Sequence, residues 1–429
     1  LTPDGKHYII NGQKMWITNG GFADVFTVFA KIDDDKNLSA FIVEKGFGGI
    51  TLNPEEHKMG IKGSSTRQVF FNDCKVPVEN LLSTRENGFK IAVNILNIGR
   101  IKLAGAALGG AKKTLDIAIN YANERQQFNT PISHFGAIQH KMADMATYCY
   151  VVESATYRCS QDMEQAIEAL EAGGADHATA LLKGVEQYAA EAAILKVAGS
   201  ECLDFVTDEG VQIYGGMGYS AESPVERAYR DSRINRIFEG TNEINRLLIV
   251  DMLMRRALKG QLDLLGPAKA VADELMGIPD MAEPDDSLLG EEKRMVANFK
   301  KAVLMAAGGA AQKLGLGLGE EQEIVMHISD MVIDTYLAES TLLRTLKLAG
   351  MKGADSCKEQ VAMAQVFIHD AADRIAKNAK EAVNAFADGD ERQAMLMGAK
   401  RFTKSAPFNS KNARRAIAAR LVKEGKNPF

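Results

Sequence analysis

The residues best placed to do chemistry lie in one short segment, residues 236–241. A single carboxylate, Glu239, stands in an apolar run and is followed at once by Gly240. Thr241 is a residue type that caps helices, and the apolar spacing beyond it predicts a helix with one buried side. Glu239 would then lie half buried beside a helix N-terminus, where a carboxylate can be prepared to act as a base. The alternative is a partly exposed glutamate that ends an amphipathic segment, and these residues alone favour that alternative.

A second segment, residues 212–219, carries three glycines between two predicted helices. Glycine lets a backbone turn sharply and approach a ligand, and the N–H groups of such a turn suit a pyrophosphate. Because a glycine cluster between helices is more often only a tight loop, this segment alone is weak evidence. Another cluster, residues 314–319, follows no predicted strand and gives little support for a dinucleotide-binding fingerprint.

Four domain-scale segments follow from the residue patterns. Residues 1–85 predict short strands and a small, mostly antiparallel β-domain, in which Asn11-Gly12 predicts a hairpin turn. Residues 86–258 have helical apolar spacing and predict a four-helix bundle. Residues 259–292, with three prolines and an acidic run, predict a linker. Residues 293–429 predict an additional C-terminal all-α domain, so the predicted fold class is α+β.

The composition of the 429 residues excludes several functions. The net charge of −5 argues against general nucleic-acid binding, which needs a basic face. The five cysteines form no CxxC pair and no metal-ligand spacing, which favours buried thiols in a reducing compartment. No uninterrupted run of about 18 apolar residues occurs, so we expect no membrane-spanning helix.

The two ends of the sequence also carry information. The chain begins at Leu1 as though inside a domain, and we interpret it as a fragment without its N-terminal part. Residues 400–429 hold nine Lys or Arg and one Glu, in a chain whose net charge is negative. This basic tail is either a solvated helix end or a contact for anionic lipid, nucleotide phosphate or an acidic partner.

The order of the segments is more specific than any one of them. Trp16-Ile17-Thr18 lies in the β-domain, Arg125-Gln126-Gln127-Phe128 in the bundle, and the glycine cluster precedes Glu239. The pattern Gln-x-x-Gly-Gly-x-Gly-Tyr-x-x-Glu-x-x-x-x-Arg-x-x-x-Asp, from Gln212 to Asp231, matches the C-terminal signature of the acyl-CoA dehydrogenases at each defined position. The chain thus resembles that family throughout residues 1–258, and its further helices resemble the very-long-chain branch.

The resemblance implies an FAD enzyme of fatty-acid β-oxidation, which introduces a trans double bond between C2 and C3 of an acyl-CoA. The resemblance to the very-long-chain branch implies a long acyl chain. Glu239 matches the family's catalytic base, which removes the C2 proton while a hydride leaves C3 for flavin N5. Gly240 would let the thioester carbonyl approach the backbone N–H of residue 239, as in an oxyanion hole. Asn97 and Arg100 match positions that line the substrate site.

Further positions match residues that contact FAD in the family. In the same subunit these are Trp16, Ile17 and Thr18, which lie against the flavin ring, and also Thr241 and Glu243. The residues that reach the FAD of a neighbouring subunit match Arg125, Gln127, Phe128, Gln212, Gly215 and Gly216. One departure is Asn129, which stands where the family usually has glycine.

The resemblance also implies partners and a location. Contacts with a neighbour's cofactor imply a homo-oligomer, and the C-terminal extension favours a homodimer. Electron-transferring flavoprotein is the implied electron acceptor, and the bacterial cytoplasm or the mitochondrial matrix and inner-membrane face is the implied location. The basic tail leaves peripheral membrane contact open. Two other functions remain alternatives: an acyl-CoA oxidase, which gives its electrons to oxygen, and an assembly or scaffold protein that keeps the fold.

Overall fold

The computed structural model describes residues 1–277 and 285–429. These residues form two compact units, Leu1–Gly99 and Arg100–Phe429. The first contains short antiparallel strands and the second is helical, which confirms the predicted α+β class.

The first unit holds two three-stranded antiparallel sheets. One sheet has the strand order β1-β5-β4 and the other β2-β3-β6. Because successive side chains of a strand point to opposite faces, Phe26 and Val28 of β2 and Val69 and Phe71 of β5 enter one apolar core. The strands are β1 His7–Thr18, β2 Val25–Ala30, β3 Ser39–Glu44, β4 Ile50–Leu52, β5 Thr66–Pro77 and β6 Leu81–Leu82.

The hairpin predicted at Asn11-Gly12 is wrong, because β1 continues through both residues. The pairing of β1 with β5 shifts register between Ile10 and Gly12, and Gly12 has a φ of 145°. Asn11 binds across the shift: its Nδ2 donates to Asp73 Oδ1 at 3.0 Å, and the Asp73 N–H donates to its Oδ1 at 2.7 Å. The dipeptide that favours a tight turn therefore makes a β-bulge here.

Helices of the predicted bundle make up the first part of the second unit, and α1 begins before the boundary of that unit. They are α1 Gly88–Glu124, α2 Gly136–Ala172, α3 His177–Gln187, α4 Ala189–Tyr214, α5 Pro224–Ser232 and α6 Asn242–Leu258. A two-stranded hairpin, β7 Gln126–Gln127 and β8 Thr130–Pro131, joins α1 to α2. The later helices are α7 Leu265–Met276, α8 Gly290–Leu314, α9 Gln322–Lys352, α10 Lys358–Phe386, α11 Gly389–Phe402 and α12 Ser410–Glu424.

The predicted linker is partly helical. Its residues 265–276 form α7, whose proline lies in the first turn, where the missing N–H is tolerated. Glu274 of α7 pairs with Lys301 of α8 at 2.8 Å and with Arg401 of α11 at 2.9 Å. Residues 278–284, with the other two prolines of the segment, lie outside the described residues.

One apolar core runs through the whole helical unit. Leu115, Met145 and Leu195 of the bundle belong to the same buried cluster as Phe299 and Ile328 of the later helices. Close-packed contacts of this kind make each helix depend on its neighbours for burial. The C-terminal helices thus complete the core of the bundle.

The first helix, α1, has the length and composition of a membrane span, which the sequence did not lead us to expect. Among residues 1–277 and 285–429 it is the one helix that passes this test. Its Ala104, Leu115 and Ile119 are fully buried in the helical core, and core helices pass the same test. Packing therefore accounts for these residues of α1, whereas 39% of its most apolar 18-residue window is buried.

Candidate active site

The segment with the predicted base turns sharply before α6. Glu239 and Gly240 both have a left-handed backbone, with φ of 58° and 81°. Thr241 then caps α6, because its hydroxyl accepts a hydrogen bond from the Ile244 N–H at 3.3 Å. A non-glycine residue in this conformation stores strain, and such residues cluster at functional sites. We call residues 238–241 the base loop.

Asn245, a fully buried residue of α6, stabilises the base loop through hydrogen bonds to its backbone. Its amide Nδ2 lies 2.8 Å from the carbonyl oxygen of Gly240 and 3.0 Å from that of Thr241. A Cβ atom on Gly240 would lie 3.2 Å from the same nitrogen. Glycine is thus favoured at position 240 both by its positive φ and by this close approach.

Loss of this amide should destabilise the fold. We expect Asn245→Leu to lower the free energy of unfolding by about 1–3 kcal/mol, because buried carbonyl oxygens lose their donor. Urea unfolding of the variant measures this change. The matched control is Asn412→Leu at an exposed position of α12, which should change stability by less than about 0.5 kcal/mol. Equal effects of the two substitutions would contradict the role of Asn245.

Arg100 reaches the base loop from α1. Its side chain is 4% exposed, and its Nε donates to the Glu239 carbonyl oxygen over 3.4 Å. Burial lowers the pKa of the Arg100 guanidinium, and the negative charge of Glu239 opposes that shift. Asn97, the other predicted substrate residue, is also buried and lies one turn earlier on the same helix. The structure thus brings Arg100 next to Glu239 and Gly240.

A group of polar residues on α4 and at the start of α6, next to the base loop, was not predicted from the sequence. Lys196 of α4 is fully buried, and its Nζ donates to Asn242 Oδ1 at 2.6 Å. The Asn242 amide in turn donates to Ser200 Oγ and to Glu201 Oε1, each at 3.0 Å. Lys196 was detectable, because it is the one charged residue in the apolar stretch between residues 191 and 201.

Arg246 connects this group to the later helices. Its Nη1 donates to Glu201 Oε1 at 2.8 Å and its Nε to Asp330 Oδ1 at 2.7 Å. Burial opposes the charge of this guanidinium, but its hydrogen bonds and charge pairs with the two carboxylates raise the pKa of Arg246 overall. Ser329 also donates its hydroxyl to the Arg246 carbonyl oxygen. Polar contacts therefore link α4, α6 and α9 beside the base loop.

A second group of predicted residues lies at the far end of α4. The rings of Tyr121 and Tyr214 stack with centroids 3.9 Å apart, and the Tyr121 hydroxyl donates to the Tyr214 carbonyl oxygen at 3.3 Å. This stack joins the end of α1, which leads into the β7–β8 hairpin, to the end of α4, which leads into the glycine loop. All six predicted residues of this group are exposed: Arg125, Gln127, Phe128, Gln212, Gly215 and Gly216. We call these six residues the hairpin surface.

The β7–β8 hairpin accommodates Asn129, which stands where the family usually has glycine. Phe128 and Asn129 have φ of 54° and 60°, so both central residues of the two-residue loop are left-handed. This geometry belongs to the type I′ turn, where asparagine is well tolerated. Asn129 therefore replaces the usual glycine at small cost, and Phe128 is presented at 89% exposure.

In the first unit, strand β1 carries the residues that are predicted to contact the flavin ring, and its pairing with β5 is irregular there. The β1–β5 register shifts again between Lys14 and Ile17, and Trp16 there has a φ of 60° and is 62% exposed. Beyond Thr18 the chain turns against Ser65, whose carbonyl oxygen accepts from the Asn19 N–H at 3.0 Å. The bulge thus turns a flat aromatic side chain outward.

The base loop and the hairpin surface are two separate places on the helical unit. Ser200 contacts the first through Asn242, and Tyr214 contacts the second. These two residues of α4 are roughly 21 Å apart along the helix axis. The cofactor residues predicted in this unit therefore fall into two groups, with Thr241 and Glu243 at the base loop.

Comparison with known proteins identifies the family of this chain. Family models described as acyl-CoA dehydrogenase match three parts of the chain: the middle domain at residues 1–74 and two C-terminal domains at 86–254 and 298–401. A "Probable acyl-CoA dehydrogenase" of Bacillus subtilis (strain 168) is 45% identical over 99% of this chain and 71% of its own length. A mitochondrial "Very long-chain specific acyl-CoA dehydrogenase" of Rattus norvegicus is 36% identical over 88% of this chain and 58% of its own length.

A solved structure matches over the whole chain. It is an acyl-CoA dehydrogenase from Bacillus anthracis, with a TM-score of 0.96 and 46% identity, and the match covers 73% of that protein. Its description names FAD, the cofactor predicted from the sequence. The family predicted from the order of the motifs is confirmed by all three comparisons. The chain belongs to the acyl-CoA dehydrogenase family of oxidoreductases.

Proposed function

We propose that this protein is an FAD-dependent acyl-CoA dehydrogenase that forms trans-2-enoyl-CoA from long-chain acyl-CoA in fatty-acid β-oxidation, with Glu239 as the base. The observation that carries the proposal is the base loop. There a carboxylate on a strained left-handed backbone is fixed by a helix cap and a buried amide, beside the buried Arg100. A strained backbone conformation that is maintained by several surrounding hydrogen bonds is typical of an active site.

The residues assigned to FAD have suitable chemistry. Trp16 offers an exposed aromatic face, and with Ile17 and Thr18 it is assigned to the ring system. Gly215 and Gly216 have open space where a Cβ would stand, so a ligand can approach their backbone. Arg125 supplies an exposed cation for phosphate. When bound, FAD supplies the hydride acceptor of the reaction.

The residues of the chain itself supply the proton chemistry. Glu239 takes the proton from C2 of the substrate, and its backbone N–H donates to the thioester carbonyl oxygen, where negative charge develops. Gly240 has no side chain to obstruct that carbonyl. Asn97 and Arg100 line the substrate, and the buried guanidinium of Arg100 holds the carbonyl side of the base loop. Thr241 and Glu243 are assigned to FAD at the start of α6.

The hairpin surface supports a homodimer. It lies roughly 21 Å from the base loop along α4 and exposes Phe128, and Met217 is exposed in the neighbouring glycine loop. Exposed apolar residues grouped around an arginine and a glycine loop suit a partner's cofactor better than solvent. We assign the six residues of the hairpin surface to the FAD of the second protomer.

The electron acceptor, location and membrane contact follow from the same proposal. Electron-transferring flavoprotein is the proposed acceptor, and the proposed location is the bacterial cytoplasm or the mitochondrial matrix and inner-membrane face. Two cations of the basic tail pair with other parts of the protein: Arg401 pairs with Glu274, and Arg414 pairs with Asp144 and Asp370. A peripheral membrane contact would therefore depend on the seven exposed cations of the tail, which are Lys400, Lys404, Lys411, Arg415, Arg420, Lys423 and Lys426.

The test is anaerobic mixing of the FAD-bound protein with butyryl-, octanoyl- and palmitoyl-CoA. We expect palmitoyl-CoA to bleach the flavin absorption band, and electron-transferring flavoprotein to restore it faster than air does. Bleaching that air reverses rapidly would identify an acyl-CoA oxidase. A flavin band unchanged by every acyl-CoA would overturn the proposed function and leave the scaffold alternative.

A further inference from the structure

Lys196 is placed where a cation is costly. Its side chain is fully buried on α4 and faces the N-terminus of α6, which is the positive end of that helix dipole. Lysine is almost never fully buried unless it is paired, and the hydrogen-bond partner here is the neutral amide of Asn242. A second buried cation, Arg100, lies close enough to act on its charge. Stability alone does not explain a lysine at this position.

The contact made by Lys196 leads directly to the base loop. Asn242, which accepts its hydrogen bond at 2.6 Å, is the first residue of α6 and follows the cap Thr241. Any shift of Asn242 moves the cap and, through it, the left-handed pair at residues 239–240. Since the Asn242 amide donates on its other side to Glu201, the lysine completes a clamp on the first turn of α6.

We propose that Lys196 is a positioning residue for the base: its ammonium group fixes Asn242 and thereby holds Glu239 in the geometry required for proton removal. This inference rests on the proposed function for its effect on turnover. It assigns the lysine no contact with substrate or cofactor.

The charge of this lysine is sensitive to pH. Burial, reinforced by Arg100 on α1, lowers the pKa of Lys196 to about 8. Three carboxylates oppose the shift: Glu201 on α4, Glu243 on α6 and Glu239 in the base loop. A neutral amine makes a weaker hydrogen bond than an ammonium group, so the clamp should loosen as pH rises above about 8.

Stability and activity should respond to this titration in opposite directions. The unfolded chain keeps an ordinary lysine pKa near ~10.4. Between about 8 and that value the unfolded state binds more protons than the folded state, so this group makes the protein more stable as pH rises. Turnover should fall over the same range because the clamp loses its charge. A merely structural lysine would not lower turnover while stability rises.

Lys196→Met is the first test, with Lys183→Met at an exposed position of α3 as the matched control. In the FAD-bound protein we expect kcat to fall about 10- to 100-fold with little change in KM, because misplacing a base affects the chemical step. Hydrogen exchange of a peptide covering residues 237–246 should become faster in Lys196→Met. The control should match the wild type in kcat and in exchange.

Two further variants sharpen the test. Lys196→Arg keeps a permanent positive charge, so it should recover part of kcat and remove the decline in kcat above about pH 8. Asn242→Ala removes the acceptor and should reproduce the loss of kcat, and the double variant should lose no more than either single variant. If Lys196→Met fails to fold, Asn242→Ala tests the same contact.

The proposed function and the positioning role of Lys196 can be contradicted by different results. If the wild-type protein does not reduce its flavin with any acyl-CoA, the proposed function is wrong, and hydrogen exchange still decides whether Lys196 holds the base loop. If the wild type is active and Lys196→Met behaves as Lys183→Met does in kcat and in exchange, the positioning role is overturned.

Discussion

Replacement of Glu239 by glutamine is expected to slow flavin reduction by acyl-CoA roughly 10²- to 10⁴-fold, the usual contribution of a general base. Glutamine keeps the size and hydrogen-bonding reach of glutamate but has no lone pair basic enough to take the C2 proton. The base loop should keep its shape, because its known supports are the Thr241 cap, the Asn245 amide and the clamp on Asn242. Binding of acyl-CoA and FAD should therefore be preserved.

Single-turnover flavin reduction in a stopped-flow instrument measures this effect, with FAD content and acyl-CoA binding recorded on the same sample. Glu186→Gln, at an exposed position of α3, is the control for loss of one carboxylate and should reduce flavin at the wild-type rate. A Glu239→Gln variant that stays within tenfold of the wild type would show that another group removes the proton. Loss of FAD from the variant would show that Glu239 supports the cofactor rather than the chemistry.

Arg246→Met is expected to lower the free energy of unfolding by about 2–3 kcal/mol. The guanidinium is 14% exposed and pairs with Glu201 and Asp330, so the substitution leaves two carboxylates without their shared cation. Both carboxylates are 33% exposed, which lets water relieve part of the loss and keeps the value below that of a fully buried pair. Urea unfolding followed by far-ultraviolet circular dichroism measures the change.

The chain offers a matched control on the same helix. Arg255 pairs with Asp251 one turn away, and its side chain is 71% exposed. Because exposed pairs of this kind contribute little, Arg255→Met should change stability by less than about 0.5 kcal/mol. The Arg246 guanidinium also reaches Asp330 on α9, so its loss should shift the unfolding of the later helices as well. An effect no larger than that of Arg255→Met would contradict the importance of this link.

The candidate site was predictable where it depends on ordered motifs. The turn and helix cap at Gly240 and Thr241 were predictable from the neighbouring residue types, whereas the role of Glu239 was predicted from the order of motifs that the chain shares with the family. Lys196 and Asn245 were not recognised, because their roles depend on which helix faces which. A lone lysine in an apolar helix indicates a buried charge, but its partner, 46 residues away, becomes visible only in the folded chain.

The fold was predictable by class and less so in its local geometry. Asn11-Gly12 favours a hairpin by local propensity, yet pairing of the long β1 with β5 outweighs that preference and leaves a bulge. The prolines of the predicted linker indicate a break, but Pro267 stands in the first turn of α7, where proline does not interrupt a helix. Tertiary pairing and position within a turn decide both cases, and neither can be obtained from composition.

The single core of the helical unit has a consequence for how this protein can be divided. A chain ending after α6 would expose the bundle residues that pack against α9 and α10, and Met145 and Ile249 would lose the cover of the shared buried cluster. Cooperative unfolding requires such shared burial, so the bundle and the later helices should melt together as one thermodynamic unit. The C-terminal helices are therefore unsuited to exchange as an autonomous module, and truncation at this point would yield an aggregation-prone product rather than a smaller enzyme.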